Sequence, residues 1–120
     1  MDNILLGIDI GGTNLKVGRV ENSEIVAQTF IGVNANETEQ EILSALFEAI
    51  DKVITPNVKA IGIGVPAVVD PISGIVYDVQ NLPAWKEVAL KEIVENRYNI
   101  PVYINNDANC FALGEKIFGR

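Results

Sequence analysis

An apolar run, Ile4-Leu5-Leu6-Gly7-Ile8, leads straight into Asp9-Ile-Gly-Gly-Thr-Asn-Leu-Lys16. This junction limits the fold more than any other stretch of the chain. A continuous apolar run of this length reads as a buried strand. Gly11 and Gly12 then let the backbone turn tightly and approach a ligand closely. Leu15, Val17 and Val20 restart an apolar pattern within a few residues, so the chain returns as a hairpin. The strand delivers a carboxylate, Asp9, to its end. Thr13 adds a hydroxyl and a backbone N–H, and Lys16 adds a cation. Together they supply what a metal–phosphate group needs: an anion to organise Mg²⁺, N–H donors for phosphate oxygens, and a positive charge nearby. The same pattern also occurs in purely structural Gly-Gly turns, and the flanking strands favour the phosphate reading.

The remaining elements follow from periodicity and punctuation. Glu21-Asn22-Ser23 is a turn, and residues 24–33 form a third strand rich in β-branched residues. Leu43, Leu46, Phe47, Ile50 and Ile54 recur at helical spacing. Asn36 and Glu39 resemble a capping box ahead of this helix, and Pro56 stops it. Residues 58–65, Val-Lys-Ala-Ile-Gly-Ile-Gly-Val, form a fourth strand closed by Pro66. Residues 67–86 are irregular, with a turn at Asp70-Pro71 and Ser73-Gly74 and a short strand at 75–77. A second helix covers roughly 88–98, and a fifth strand 102–104. A third helix starts at Asn105-Asn106-Asp107 and carries Cys110, Phe111, Gly114, Ile117 and Phe118. The order β-β-β-α-β-α-β-α predicts an α/β domain. Its mixed five-stranded sheet has antiparallel front strands and parallel later ones, with helices on its faces. In such sheets ligands sit beyond the carboxyl ends of the strands. Asp9 and Asp107 both belong there and could share one cleft.

Composition removes several classes of function. A net charge of -7 argues against a nucleic-acid surface. No run approaches the ~20 apolar residues of a membrane span, and the start of the chain lacks a basic leader pattern. A single cysteine, Cys110, forms no internal disulfide, so a reducing, cytoplasmic setting is expected. There is no histidine, so proton transfer must rest on carboxylates, Lys, Tyr or that cysteine. With nothing to activate it, Cys110 reads as a small core residue.

Asn106 and Asp107 are preferred helix-capping types. Beside a phosphate loop they gain a second reading, in which Asp107 accepts a proton from an attacking hydroxyl while Asn106 binds a neighbouring one. Gly62-Ile-Gly64-Val-Pro66-Ala67 lacks the third glycine of a dinucleotide fingerprint, and the chain has no P-loop. Its glycines suit close helix packing, or its Pro66-Ala67 backbone lines a substrate pocket. Asn81 is a candidate polyol contact beside Trp85, itself a core anchor. Tyr77 and Asp78 read as structural.

With these residues in view, the chain resembles the first domain of the ROK family of repressors and sugar kinases. That family belongs to the actin, hexokinase and Hsp70 superfamily of ribonuclease-H-like ATPases. The matching stretches are Leu6-Gly-Ile-Asp-Ile-Gly-Gly-Thr-Asn-Leu-Lys16, Ile61-Gly-Ile-Gly-Val-Pro66, Asn81-Leu-Pro-Ala-Trp85 and Val102-Tyr-Ile-Asn-Asn-Asp-Ala-Asn-Cys-Phe-Ala-Leu-Gly-Glu115, in the family's order. The resemblance implies an ATP-dependent, Mg²⁺-requiring sugar phosphotransferase, glucokinase-like, with a hexose or amino-hexose substrate and a possible homodimer. It implies that Asp9, Gly11, Gly12, Thr13, Asn14 and Lys16 hold ATP phosphates, with Asp9 near Mg²⁺ through water. Asp107 is then the catalytic base, and Asn106, Ala67 and Asn81 face the sugar. Ala67 stands where many members have glycine, so its methyl narrows the pocket or shifts the preferred sugar. Family members continue into a second domain with a Glu-x-Gly-His motif and often a zinc site, neither of which occurs here. Residues 1–120 are therefore expected to be one amino-terminal domain of a two-domain kinase, inactive alone. Repressor members place a DNA-binding helix pair ahead of the phosphate motif, which here begins within ten residues of Met1, so a kinase is expected. A sugar-sensing regulator module, or another ATPase of the superfamily, are the alternatives.

Overall fold

The computed structural model describes residues 4–11, 14–34, 36–80 and 82–106. The apolar run forms β1 (Ile4–Ile10), and the chain returns as β2 (Asn14–Glu21), antiparallel to it from Ile4 opposite Glu21 to Ile10 opposite Leu15. Asn22 and Ser23 both take positive φ, 53° and 71°, as a two-residue hairpin turn requires. β3 (Glu24–Gly32) then pairs antiparallel with β2, with an irregularity at Arg19/Val20.

Helix α1 (Glu39–Val53) is capped by Thr38, whose hydroxyl accepts the Glu41 N–H while the Glu41 carboxylate accepts the Thr38 N–H. The expected box at Asn36 and Glu39 is thus displaced by two residues. The reason is a turn at Asn34–Glu37, closed by the Glu37 N–H donating to the Asn34 carbonyl, which delays the helix. The helix ends at Val53, short of Pro56, as the proline demands.

β4 (Ala60–Gly64) lies parallel to β1 and is buried throughout. The irregular stretch and the two residues after it hold three two-residue strands, β5 (Val68–Val69), β6 (Val76–Tyr77) and β7 (Glu87–Val88), which form a small antiparallel sheet of their own. Only the middle one is visible in the sequence, because two residues carry no alternation. Helix α2 (Leu90–Tyr98) starts two residues later than expected, since residues 87 and 88 belong to β7, and ends on Asn99 at φ 57°. β8 (Val102–Asn105) closes the main sheet, parallel to β4, giving the order β3-β2-β1-β4-β8. The mixed five-stranded sheet is therefore as expected. The third helix, with Cys110, lies outside the described residues.

One face of the sheet carries the core. Ile4, Leu6, Ile8 and Ile10 of β1 join Leu15, Val17, Ile61 and Ile63 against Ile42, Leu46 and Ile50 of α1 and Leu90 and Val94 of α2. The two helices are clasped by the Tyr98 hydroxyl, which donates to Asp51 Oδ1 at 2.9 Å, and by Arg97 at 4.3 Å from the Phe47 ring centroid. Burial pushes the Tyr98 phenol up to about 12. It therefore remains a donor at neutral pH, and its contribution to stability is lost only as pH rises from about 10 through about 12.

Trp85 is fully buried and its indole N–H donates to the Glu39 carbonyl at 3.4 Å. It ties the small sheet to the start of α1 and confirms the core-anchor reading. Gly74, at φ 71°, lets the preceding turn pass directly over α2, and a Cβ there would collide with the Lys91 side chain.

Candidate functional site

The sheet register sets the site. Lys16 pairs with Asp9, Asp9 with Gly64, and Gly64 with Asn105. Because paired residues share a face, this row crosses the sheet at the carboxyl ends of its parallel strands. It lies on the face away from α1 and α2, since Ile8 and Ile10 on either side of Asp9 point into the helix-covered core. Strands are spaced about 4.8 Å apart, so Asp9 and Asn105 backbones stand roughly 10 Å apart, with Gly64 between them. Gly64, which is buried and adds no side chain to the row, stands between its two polar ends. Asp9, Lys16 and Asn105 are each half-buried, positioned by strands yet reachable from solvent.

On the β1 side, the Gly11 N–H donates to the Asn14 carbonyl at 3.0 Å, closing the hairpin around residues 12 and 13. A Cβ on Gly11 would stand 3.3 Å from that carbonyl oxygen, tighter than side chains normally tolerate. A side chain at the first glycine of the motif would therefore make this turn give by a few tenths of an ångström. Gly12 and Thr13 lie outside the described residues. Asn14 is exposed at the mouth of the hairpin.

On the β8 side, the Val65 N–H donates to the Asn105 carbonyl at 3.0 Å, the Ala67 N–H to the Val65 carbonyl at 2.9 Å, and the Gln80 N–H to the Pro66 carbonyl at 3.0 Å. These bonds bring the Pro66-Ala67 loop, the end of β8 and the segment before residue 81 together. Asn106 follows on the chain and is exposed. Asn81 and Asp107 lie outside the described residues, although Gln80 and Leu82 on either side of Asn81 are hydrogen-bonded in place.

A metal has limited support from protein atoms alone. Among the described residues no group of three or more acidic, histidine or cysteine side chains could hold one. Asp9 by itself fits a Mg²⁺ that keeps waters and borrows phosphate oxygens, which is how that ion is usually bound. Among the described residues, no helix is long and apolar enough to cross a membrane.

The sequence did not single out Gly64 or Phe30 as part of this row. Phe30 pairs with Lys16 on β3, and the Lys16 ammonium lies 5.8 Å from its ring centroid. The signal was available in strand parity, counted outward from Asp9, once the register was known.

Comparison with known proteins places this geometry in context. The model of the ROK family matches residues 5–120. The chain is 37% identical over 124 residues to a xylose repressor of Caldicellulosiruptor bescii, covering 97% of this chain and 31% of that protein. It is 34% identical over 120 residues to a glucokinase of Thermotoga maritima, covering 96% of this chain and 37% of that one. Among solved structures it resembles a ROK family glucokinase from Streptomyces griseus in complex with glucose and AMPPNP, with a TM-score of 0.79 and 33% identity, over 98% of this chain and 37% of that one. The chain thus spans about a third of the length of these proteins. The fold is the actin-like ATPase fold of the ROK sugar kinases.

Proposed function

Because the chain belongs to the ROK family, we propose that it is the amino-terminal domain of a two-domain sugar kinase that transfers the γ-phosphoryl group of ATP to a hydroxyl of a hexose or amino-hexose. The observation that carries this reading is the register row, which sets a carboxylate and a lysine on one side of Gly64 and the strand end at Asn105, just before Asn106, on the other. In this reading the backbone N–H groups of Gly11 to Thr13, with Asn14 and Lys16, hold the phosphates. Asp9 orients a Mg²⁺ through water, and the ion, when bound, neutralises charge on the phosphate oxygens. Asn106, the Ala67 backbone and Asn81 hold the sugar. Asp107 accepts the proton of the attacking hydroxyl as the oxygen–phosphorus bond forms and ADP leaves. Closure of the second domain excludes water, so that the hydroxyl rather than water receives the phosphoryl group. The glucokinases among the relatives support this reading.

The 37% identity to a xylose repressor supports a second reading, in which the same site senses a sugar without turning it over. A panel of hexoses, amino-hexoses and pentoses with ATP and Mg²⁺ separates the two. The full-length protein is expected to convert at least one hexose or amino-hexose to its phosphate, and residues 1–120 alone are expected to fold without turnover. Saturable sugar binding with no phosphate transfer to any member would contradict the kinase reading and favour the sensor.

A further inference from the structure

We propose that β3 pairs antiparallel with the β3 of a second copy of this chain, about a two-fold axis at Phe30, joining two five-stranded sheets into one. The inference is independent of the sugar-kinase reading. β3 is an edge of the main sheet, and among the described residues no strand pairs with its outer side. An exposed edge is a template for another strand, and proteins usually blunt it with charge, proline, shortness or a cover. The two edges of this sheet differ in that respect. β8 has four residues, its Val102 N–H donates to Glu95 Oε2 at 3.0 Å, and Asp70, Pro71, Gly74 and Lys91 flank it. β3 has nine residues. Residues 25–33 read Ile-Val-Ala-Gln-Thr-Phe-Ile-Gly-Val, without a charge or a proline. Ile25 and Val26 are each about half exposed and Phe30 is 59% exposed. The irregularity opposite Arg19/Val20 falls at Val26 and leaves residues 27–32 in unbroken register.

Charge selects the occupant of this edge. The charged residue of β3 is Glu24, at its start. A parallel copy would set two Glu24 carboxylates side by side, with backbones ~4.8 Å apart. An antiparallel copy centred on Phe30 sends them to opposite ends. It brings Phe30 opposite Phe30, Gln28 opposite Gly32 and Thr29 opposite Ile31, so no pair opposes like charges. A partner that recognises charge finds none between residues 25 and 33, whereas a second copy meets its own apolar pattern. The two-fold operation also closes, because each copy uses the same edge once. A single strand pair falls short of the roughly 1,000 Å² of a permanent interface, so the association is weak and concentration-dependent.

Sedimentation of the full-length protein over roughly 5–500 µM, a range suited to an interface of this size, is expected to show its mass doubling with concentration. Phe30→Lys sets two cations against each other and should abolish the doubling, and Phe30→Leu should keep it. Because Phe30 is exposed, neither substitution disturbs the core. Hydrogen exchange on the wild type gives a readout free of any variant, in which the outward-facing amides of residues 27–32 slow as concentration rises. A mass that never doubles, or that doubles equally in Phe30→Lys, would overturn the inference. Outward-facing amides already slow at the lowest concentration would also overturn it, and would assign the edge to another segment of the full-length protein.

Discussion

Asp107→Asn in the full-length protein is expected to lower kcat by at least ~10²-fold, the usual scale of general-base contributions, while the affinity for sugar changes little. The substitution preserves size and hydrogen-bonding shape but removes the proton acceptor. A hundredfold loss corresponds to about 2.7 kcal/mol of transition-state stabilisation. The argument depends on position. Asp107 directly follows Asn106, at the end of the strand whose Asn105 shares the row with Gly64 and Asp9. Steady-state kinetics on the purified variant, with sugar binding measured separately, checks the split. An unchanged kcat would remove Asp107 from the chemistry, and a lost sugar affinity with normal kcat would make it a binding residue.

Trp85→Ala is expected to cost about 3–5 kcal/mol of stability, the range for deleting a large buried aromatic. Against a total of about 5–15 kcal/mol for a domain, that is enough to leave the variant marginal. Trp85 is fully buried, and it donates to the Glu39 carbonyl at the start of α1. It also closes the turn from Val79, whose N–H donates to the Trp85 carbonyl. Removing it opens a cavity, leaves the Glu39 carbonyl without its indole donor, and loosens the segment from which the Gln80 N–H reaches the Pro66 carbonyl beside Ala67. Trp85→Phe, which keeps most of the buried surface, should cost clearly less. Urea denaturation of the two variants measures the difference. A midpoint for Trp85→Ala close to wild type would contradict the anchoring role.

The main sheet was legible in the sequence because its strands are long and continuously apolar and its helices strongly periodic. Ile4–Ile10 and Glu24–Gly32 fall within a residue of the expected bounds, and Glu39–Val53 starts two residues later than expected. The elements that escaped are those governed by tertiary pairing. Val68–Val69 and Glu87–Val88 are strands only because Tyr77 and Val76 bond to them. The cap moved from Asn36 to Thr38 because a local turn claimed the Asn34 carbonyl first. The candidate site was legible as chemistry but not as an arrangement. Asp9, Lys16 and Asn106 stand out as residue types, whereas the partnership of Asp9, Gly64 and Asn105 depends on parallel register, which carries no sequence mark. Gly64 read as a glycine for close helix packing, with the pocket alternative resting on the Pro66-Ala67 backbone, and only its place between two polar residues links it to the site.

The central claim is that one cleft has two separable walls, phosphate on the β1–β2 side and sugar on the β8 side. Calorimetric titration of the full-length protein with sugar and with a non-hydrolysable ATP analogue, for Asp9→Asn and Asn106→Ala, tests it most directly. The account predicts a crossed pattern. Asp9→Asn weakens the nucleotide analogue in the presence of Mg²⁺ and spares the sugar, while Asn106→Ala weakens the sugar and spares the nucleotide. Equal losses of both ligands in both variants, or no loss in either, would contradict it.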